Sequence, residues 1–144
     1  MTGKERSRIG TAIIATAVML GTVTIPGDER AAAEEYKSKA QKTKLLYTKL
    51  DSGKDLEARV IRFDFPPGYV GGKHYHPGDV FVYVQKGSFT VKVDGEMHAF
   101  KAGEVYRELP NVPMLASNGS TTEETTIIVF QVGAVGEPVM VKAE

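Results

Sequence analysis

The chain has 144 residues, of which 42% are hydrophobic and 25% are charged, and its formal net charge at pH 7 is zero. This is the composition of an ordinary globular domain, without the basic surface that a nucleic-acid partner requires. The chain has no cysteine, which excludes disulfides, thiolate metal sites and cysteine nucleophiles. We therefore expect one domain with short appendages and no nucleic-acid partner.

The first 33 residues have the order of a secretory signal peptide. Three basic residues, Lys4, Arg6 and Arg8, precede an uncharged stretch, residues 9–25, and three alanines at positions 31–33 offer a cleavage site. The alternative is an uncleaved anchor, although the apolar stretch is short for a membrane span. The sequence predicts an extracytoplasmic protein, periplasmic or secreted, whose only contact with a membrane is an uncleaved N-terminal segment.

Residues 34–44 form a polar spacer in this interpretation. The region around them is rich in alanine, with glutamates early and lysines late, an order that suits the dipole of a helix. It has no broad apolar stripe, so nothing indicates that it packs against a core. We expect a short, solvated helical spacer before a domain that spans residues 45–144.

The rest of the chain carries the signals of short β-strands. In Arg59–Phe65 and Ser88–Val93, apolar and polar residues alternate, and Asp94-Gly95 is typical of a tight hairpin turn. Strands are predicted at 45–50, 59–65, 80–84, 88–93, 97–100, 105–108, 114–117 and 126–132. Short strands at regular spacing, separated by glycine and proline, predict an all-β sandwich or barrel.

The most informative motif is His74-Tyr75-His76, which stands just before the predicted strand Val80–Val84. Side chains on an extended chain alternate between two faces, so the two imidazoles point the same way and Tyr75 points opposite. Two imidazoles on one face form half of a tetrahedral or octahedral metal site. The residues that complete the site therefore decide its chemistry.

The glycine and histidine spacing resembles the cupin superfamily, whose members are small double-stranded β-helix (jelly-roll) barrels. The residues that fit the two sequence motifs of this family are Gly68, His74, His76, Gly87, Gly103 and Asn118. The resemblance covers about residues 45–141 and implies a cupin-type all-β barrel over nearly the whole domain. It also implies that two barrels can pair as a homodimer through their sheets.

The metal-binding motif of the family is only partly kept. The resemblance implies a metal held by two histidines, a glutamate and a further histidine, but Val80 and Met114 stand where the last two belong. Asp79 is one residue out of register and should point away from the pocket. The half of the motif that this chain keeps is His74 and His76.

Three other carboxylates are candidates for the vacant position. They are Glu57, Glu104 and Glu108. We expect each of them on the solvated surface, because lone acidic side chains are rarely buried. His98 is likewise expected to be exposed on its strand.

Three functions are compatible with this pattern. In the first, which we favour, the barrel binds a small ligand in a pocket that includes Val80, Val82 and Met114, with or without a weak metal site. The second is a metal-dependent oxygenase, isomerase or lyase that acts on a small organic substrate. The third is a copper(I) site on His74, His76 and Met114, since a thioether favours copper. Across the three functions, the expected cofactor is one ion of copper, iron, manganese, nickel or zinc, or no metal at all.

The signal-like segment generates a testable prediction. The mature chain should begin near Glu34, because the small residues before it suit cleavage. Intact mass spectrometry of protein recovered from the periplasm or medium measures this directly. A full-length species of 15.6 kDa in the cytosol would contradict both the signal and the anchor.

Overall fold

The computed structural model describes residues 35–36 and 38–144, so the predicted signal segment lies outside the described residues. The described part forms ten strands: β1 (Gln41–Lys49), β2 (Leu56–Phe65), β3 (His74–Tyr75), β4 (Asp79–Lys86), β5 (Ser88–Val93), β6 (Glu96–Lys101), β7 (Val105–Glu108), β8 (Met114–Asn118), β9 (Thr125–Ala134) and β10 (Val141–Lys142). Within this part of the chain, no helix is long and apolar enough to cross a membrane.

The strands form two five-stranded sheets. The first has the order β1-β2-β9-β4-β7 and the second the order β10-β3-β8-β5-β6. The paired strands in both sheets are antiparallel. The all-β architecture predicted from the alternating pattern is confirmed.

The core lies between the sheets and follows the alternation of the sequence. Inward-facing side chains of four strands are buried: Ile61, Phe63 and Phe65 of β2, Val80, Val82 and Val84 of β4, Phe89 and Val91 of β5, and Ile127 and Val129 of β9. Their neighbours in sequence point outward, as Phe81 and Tyr83 do at 41% and 38% exposure. One face of each of these strands therefore builds the core.

The turn between β5 and β6 forms as its residues require. Asp94 and Gly95 have φ angles of 50° and 87°, and both lie in the left-handed region. Two consecutive residues with positive φ are typical of the two-residue turn whose twist matches that of a hairpin. The predicted hairpin is confirmed.

The predicted helical spacer is wrong for the described residues. β1 begins at Gln41 and pairs with β2 from Gln41 to Lys49, and residues 38–40 before it are not helical. β1 is an edge strand and is exposed along most of its length, including Leu45 and Leu46. Its lysines suit an exposed edge, which explains why this stretch has no broad apolar stripe.

Asn118 joins several loops at one end of the barrel. Its Nδ2 donates to the carbonyls of Phe65, Pro66 and Glu123 at 3.2, 3.0 and 2.7 Å. Its Oδ1 accepts from the Thr125 hydroxyl at 2.7 Å and from the Ser120 amide at 2.9 Å. This one amide therefore connects the end of β2 to the β8–β9 connection.

Replacing Asn118 should destabilise the barrel strongly. Asn118→Leu keeps the size of the side chain but leaves buried polar partners unsatisfied, which should cost about 3 kcal/mol and lower Tm by roughly 10 °C. Thermal unfolding measures the change. Glu96→Gln, on the exposed side of β6, is the control and should leave Tm unchanged. An equal Tm for Asn118→Leu and the parent would contradict this role.

Candidate functional site

A cavity of about 30 Å³ lies between the two sheets. A water molecule needs about 10–15 Å³ on this scale, so the cavity has room for roughly two or three. Its apolar walls include Phe63, Phe65, Val82, Phe89, Ile127 and Val129. Its polar side chains include His74, His76 and Glu108. The cavity is therefore mostly apolar along its walls, and its titratable groups His74, His76 and Glu108 lie together.

His74 and His76 are buried, with 5% and 4% exposure, and their rings meet edge to face with centroids 5.2 Å apart. The Nδ1 atom of His74 lies 2.9 Å from the Gly72 carbonyl, and that of His76 lies 2.7 Å from the Val139 carbonyl. A carbonyl oxygen can only accept, so each Nδ1 carries the proton. Nε2 of each ring remains for another partner.

Glu108 is the partner of His76, and the expectation that it lies on the solvated surface is wrong. Its exposure is 3%, and its Oε2 lies 3.1 Å from Nε2 of His76. β7 pairs with β4 so that Glu108 stands directly opposite Val80. Directly opposite residues share a face of the sheet, so Glu108 points inward with Val80.

The other two candidate carboxylates lie elsewhere. Glu104 is exposed and accepts a hydrogen bond from the Lys101 amide, as expected for a surface residue. Glu57 forms an ion pair with Arg59, and neither residue lines the cavity. Of the three, only Glu108 reaches the site.

The remaining predicted site residues are distributed between the cavity and the core. Val82 lines the cavity, whereas Val80 and Met114 are buried but are not among its lining residues. Met114 pairs directly with His74 across β8 and β3. Asp79 points away, as expected, and forms an ion pair with Arg107 at 2.8 Å. His98 is exposed on β6, also as expected.

A buried hydrogen-bond network supports His76 from behind. The Val139 carbonyl accepts from Nε2 of Gln131 at 3.1 Å as well as from His76. Oε1 of Gln131 in turn accepts from Nη1 of Arg59 at 3.2 Å. Arg59 and Gln131 are 2% and 1% exposed, and Glu57 balances the Arg59 charge. The network fixes the Val139 carbonyl and, through it, the orientation of the His76 ring.

A family model described as a cupin domain matches residues 61–130. This stretch contains the histidine motif and Glu108. The chain belongs to the cupin superfamily. No curated protein matches the chain.

Solved structures share the cupin fold at low identity. A double-stranded β-helix protein from Klebsiella pneumoniae is 20% identical with a TM-score of 0.57, covering 78% of this chain and 92% of that one. A Cupin 2 conserved barrel domain protein from Salinispora arenicola is 16% identical with a TM-score of 0.53, covering 84% and 89%.

A longer neighbour is the DMSP lyase DddQ from Ruegeria pomeroyi. It is 15% identical with a TM-score of 0.58, and the match covers 72% of this chain. The match spans about half of that lyase, 51% of its length. At these identities the likeness shows the fold alone.

The donor set does not fit the metal site that the cupin family implies. Two imidazoles and a carboxylate are suitable ligand types for first-row metals. However, no three His, Cys, Asp or Glu side chains are arranged to hold a metal ion in the part of the chain that the structure describes. Val80 and Met114 stand at the other two positions, so we assign no chemistry to a resident metal.

Burial lowers the pKa of His74 below its ordinary value of 6.5. The hydrogen bond to the Gly72 carbonyl acts in the opposite direction but is the smaller effect. Because a buried imidazolium loses its hydration, the neutral ring is favoured in the folded protein. His74 therefore presents an acceptor to the cavity at neutral pH.

The lowered pKa of His74 predicts that the free energy of unfolding falls as the pH is lowered. Below about pH 6.5 the unfolded chain binds a proton at His74 that the folded protein does not, so the free energy of unfolding decreases as pH falls. Above this pH His74 is neutral in both the folded and the unfolded chain, so it no longer lowers the free energy of unfolding. Urea unfolding of the parent and His74→Gln between pH 7.5 and about pH 5 should show a shallower slope for the variant. His98→Gln, at an exposed site, should keep the parent slope; equal slopes in all three proteins would contradict the prediction.

Proposed function

We propose that this cupin binds a small organic ligand in the cavity between its sheets. The observation that carries the proposal is an apolar cavity with buried His74, His76 and Glu108 at one place in its wall. Ligand sites commonly combine apolar walls with a few placed polar groups that fix orientation. The family match and the shared fold support a binding barrel, and the contacts of the three polar residues specify its chemistry.

The polar groups favour a ligand whose head group donates hydrogen bonds. Nδ1 of His74 is used by the Gly72 carbonyl, which leaves a lone pair on Nε2. The Glu108 carboxylate adds acceptors, and it shares a proton with His76 where the two are hydrogen-bonded. An amine or a hydroxyl group on a short apolar body meets both requirements.

Ethylammonium is a suitable probe because it has a donor head and only three heavy atoms. The best small ligands gain about 1.5 kcal/mol per heavy atom, so its Kd should be no tighter than about 0.5 mM. Titration followed by NMR should give saturable shifts at the methyl groups of Val82 and Ile127. Acetate, which only accepts, should give none.

Glu108→Gln should weaken ethylammonium binding at least tenfold, because it removes the charge while keeping the shape of the side chain. Glu104→Gln is the matched control, since it removes a carboxylate that lies outside the cavity, and should bind as the parent does. Equal affinity in all three proteins, or equal binding of acetate, would overturn the proposal.

A metal-dependent enzyme is the second candidate, and the contact between Glu108 and His76 favours it. An imidazole and a carboxylate are ligand types that suit a first-row metal, and these two lie 3.1 Å apart. Melting with and without Mn²⁺, Fe²⁺ or Zn²⁺ distinguishes the two functions. A gain of several degrees in the parent that is lost in Glu108→Gln would replace the first proposal with the second.

Location and pairing stay predictions. We propose that the barrel acts outside the cytoplasm, because its N-terminal residues have the order of a signal peptide. A homodimer would find exposed apolar side chains on the outer face of the first sheet, namely Phe81, Tyr83 and Phe130.

A further inference from the structure

We propose that Tyr36 sets the size of the ligand that this cavity admits. This inference rests on the proposed ligand-binding function and concerns the same cavity. Tyr36 lies outside the strands, in the segment that precedes β1, and its ring stacks on His74 with centroids 4.9 Å apart and planes 11° apart. It is one of the residues that line the cavity. The ring therefore covers the imidazole that would receive a ligand.

The backbone around Tyr36 is attached to the second sheet. The Tyr36 amide donates to the Met140 carbonyl at 3.0 Å, and Glu35 forms an antiparallel bridge with Val141 of β10. These contacts hold the Tyr36 ring beside the site, although Tyr36 itself belongs to none of the ten strands. We call residues 35–36 and 38–40 the strap.

The strap is attached a second time on the other side of Tyr36. The Ser38 hydroxyl lies 2.6 Å from the Tyr69 hydroxyl, and Ala40 is buried at 7% exposure. Ser38 and Tyr69 also line the cavity. The strap thus adds two side chains, Tyr36 and Ser38, to the cavity lining that the barrel strands supply.

Gly72 is shaped to receive the Tyr36 ring. Its amide donates to the Tyr36 hydroxyl at 2.6 Å. A Cβ atom at Gly72 would lie 2.7 Å from Cε2 of Tyr36, closer than atoms can approach, so a larger residue would displace the ring. The Gly71-Gly72 pair in the sequence therefore has a specific role here: residue 72 leaves space for this aromatic side chain.

The size limit follows from the volume that the ring occupies. With Tyr36 in place the cavity measures about 30 Å³, which suits two or three heavy atoms. A cavity of about 150 Å³ holds a benzene molecule. Removing the phenol ring over His74 should therefore make room for a ligand with an aromatic ring while leaving His74, His76 and Glu108 in place.

The test compares ethylammonium with benzylammonium, which has the same head group and a larger body. The parent should bind the first and not the second. Tyr36→Ala should bind benzylammonium at least tenfold more tightly than the parent does, as measured by NMR titration. Tyr36→Phe keeps the ring, loses only the hydroxyl contact and should select as the parent does.

Gly72→Ala provides an independent variant in case Tyr36→Ala fails to fold. It displaces the ring without truncating it, so it should also admit benzylammonium. Equal binding of benzylammonium by the parent and the folded variants would overturn the role of Tyr36 while leaving the binding function intact. Failure of every protein to bind either probe would instead overturn the proposed function.

Discussion

A carboxylate buried between two sheets is stable only with a partner, and in this cupin the partner of Glu108 is His76. The arrangement of the site depends on this pair. His76 can face Glu108 through Nε2 because its Nδ1 proton is held by the Val139 carbonyl. That carbonyl is fixed by Gln131, whose amide is oriented by the buried guanidinium of Arg59. A single contact in the cavity is therefore supported by residues of β2 and β9.

The fold was predictable because its signals are local. The alternation in Arg59–Phe65 and in Ser88–Val93 identifies a strand and its buried face without knowledge of any neighbour. The Asp94-Gly95 turn is likewise contained in two residues. β3 and β10 were missed because each has only two residues, too few for a period to be visible. The start of β1, residues 41–44, was assigned to the spacer because an exposed edge strand lacks the apolar face by which strands are recognised, whereas the rest of β1 lies within the predicted strand 45–50.

The site was less predictable because its contacts depend on register. No feature of the sequence near Glu108 indicates that β7 pairs with β4 in the register that places Glu108 opposite Val80. In β7 the exposed Val105 and Arg107 alternate with Tyr106 and Glu108, which are shielded, so a valine faces outward and a glutamate inward, the reverse of the usual pattern. Tyr36 carried no signal either, since it precedes a polar stretch and meets His74 only through the attachments of the strap.

The cross-strand pair also explains why an aliphatic residue at position 80 is compatible with this site. Side chains directly opposite each other on antiparallel strands have Cβ atoms about 5 Å apart. A glutamate at position 80, where the family places one, would therefore lie beside the buried carboxylate of Glu108. Two buried carboxylates at that distance cannot both remain ionised unless a cation lies between them. With valine at position 80, Glu108 is the one carboxylate of this cross-strand pair. It needs only the proton that it shares with His76, so its charge is compensated within the chain.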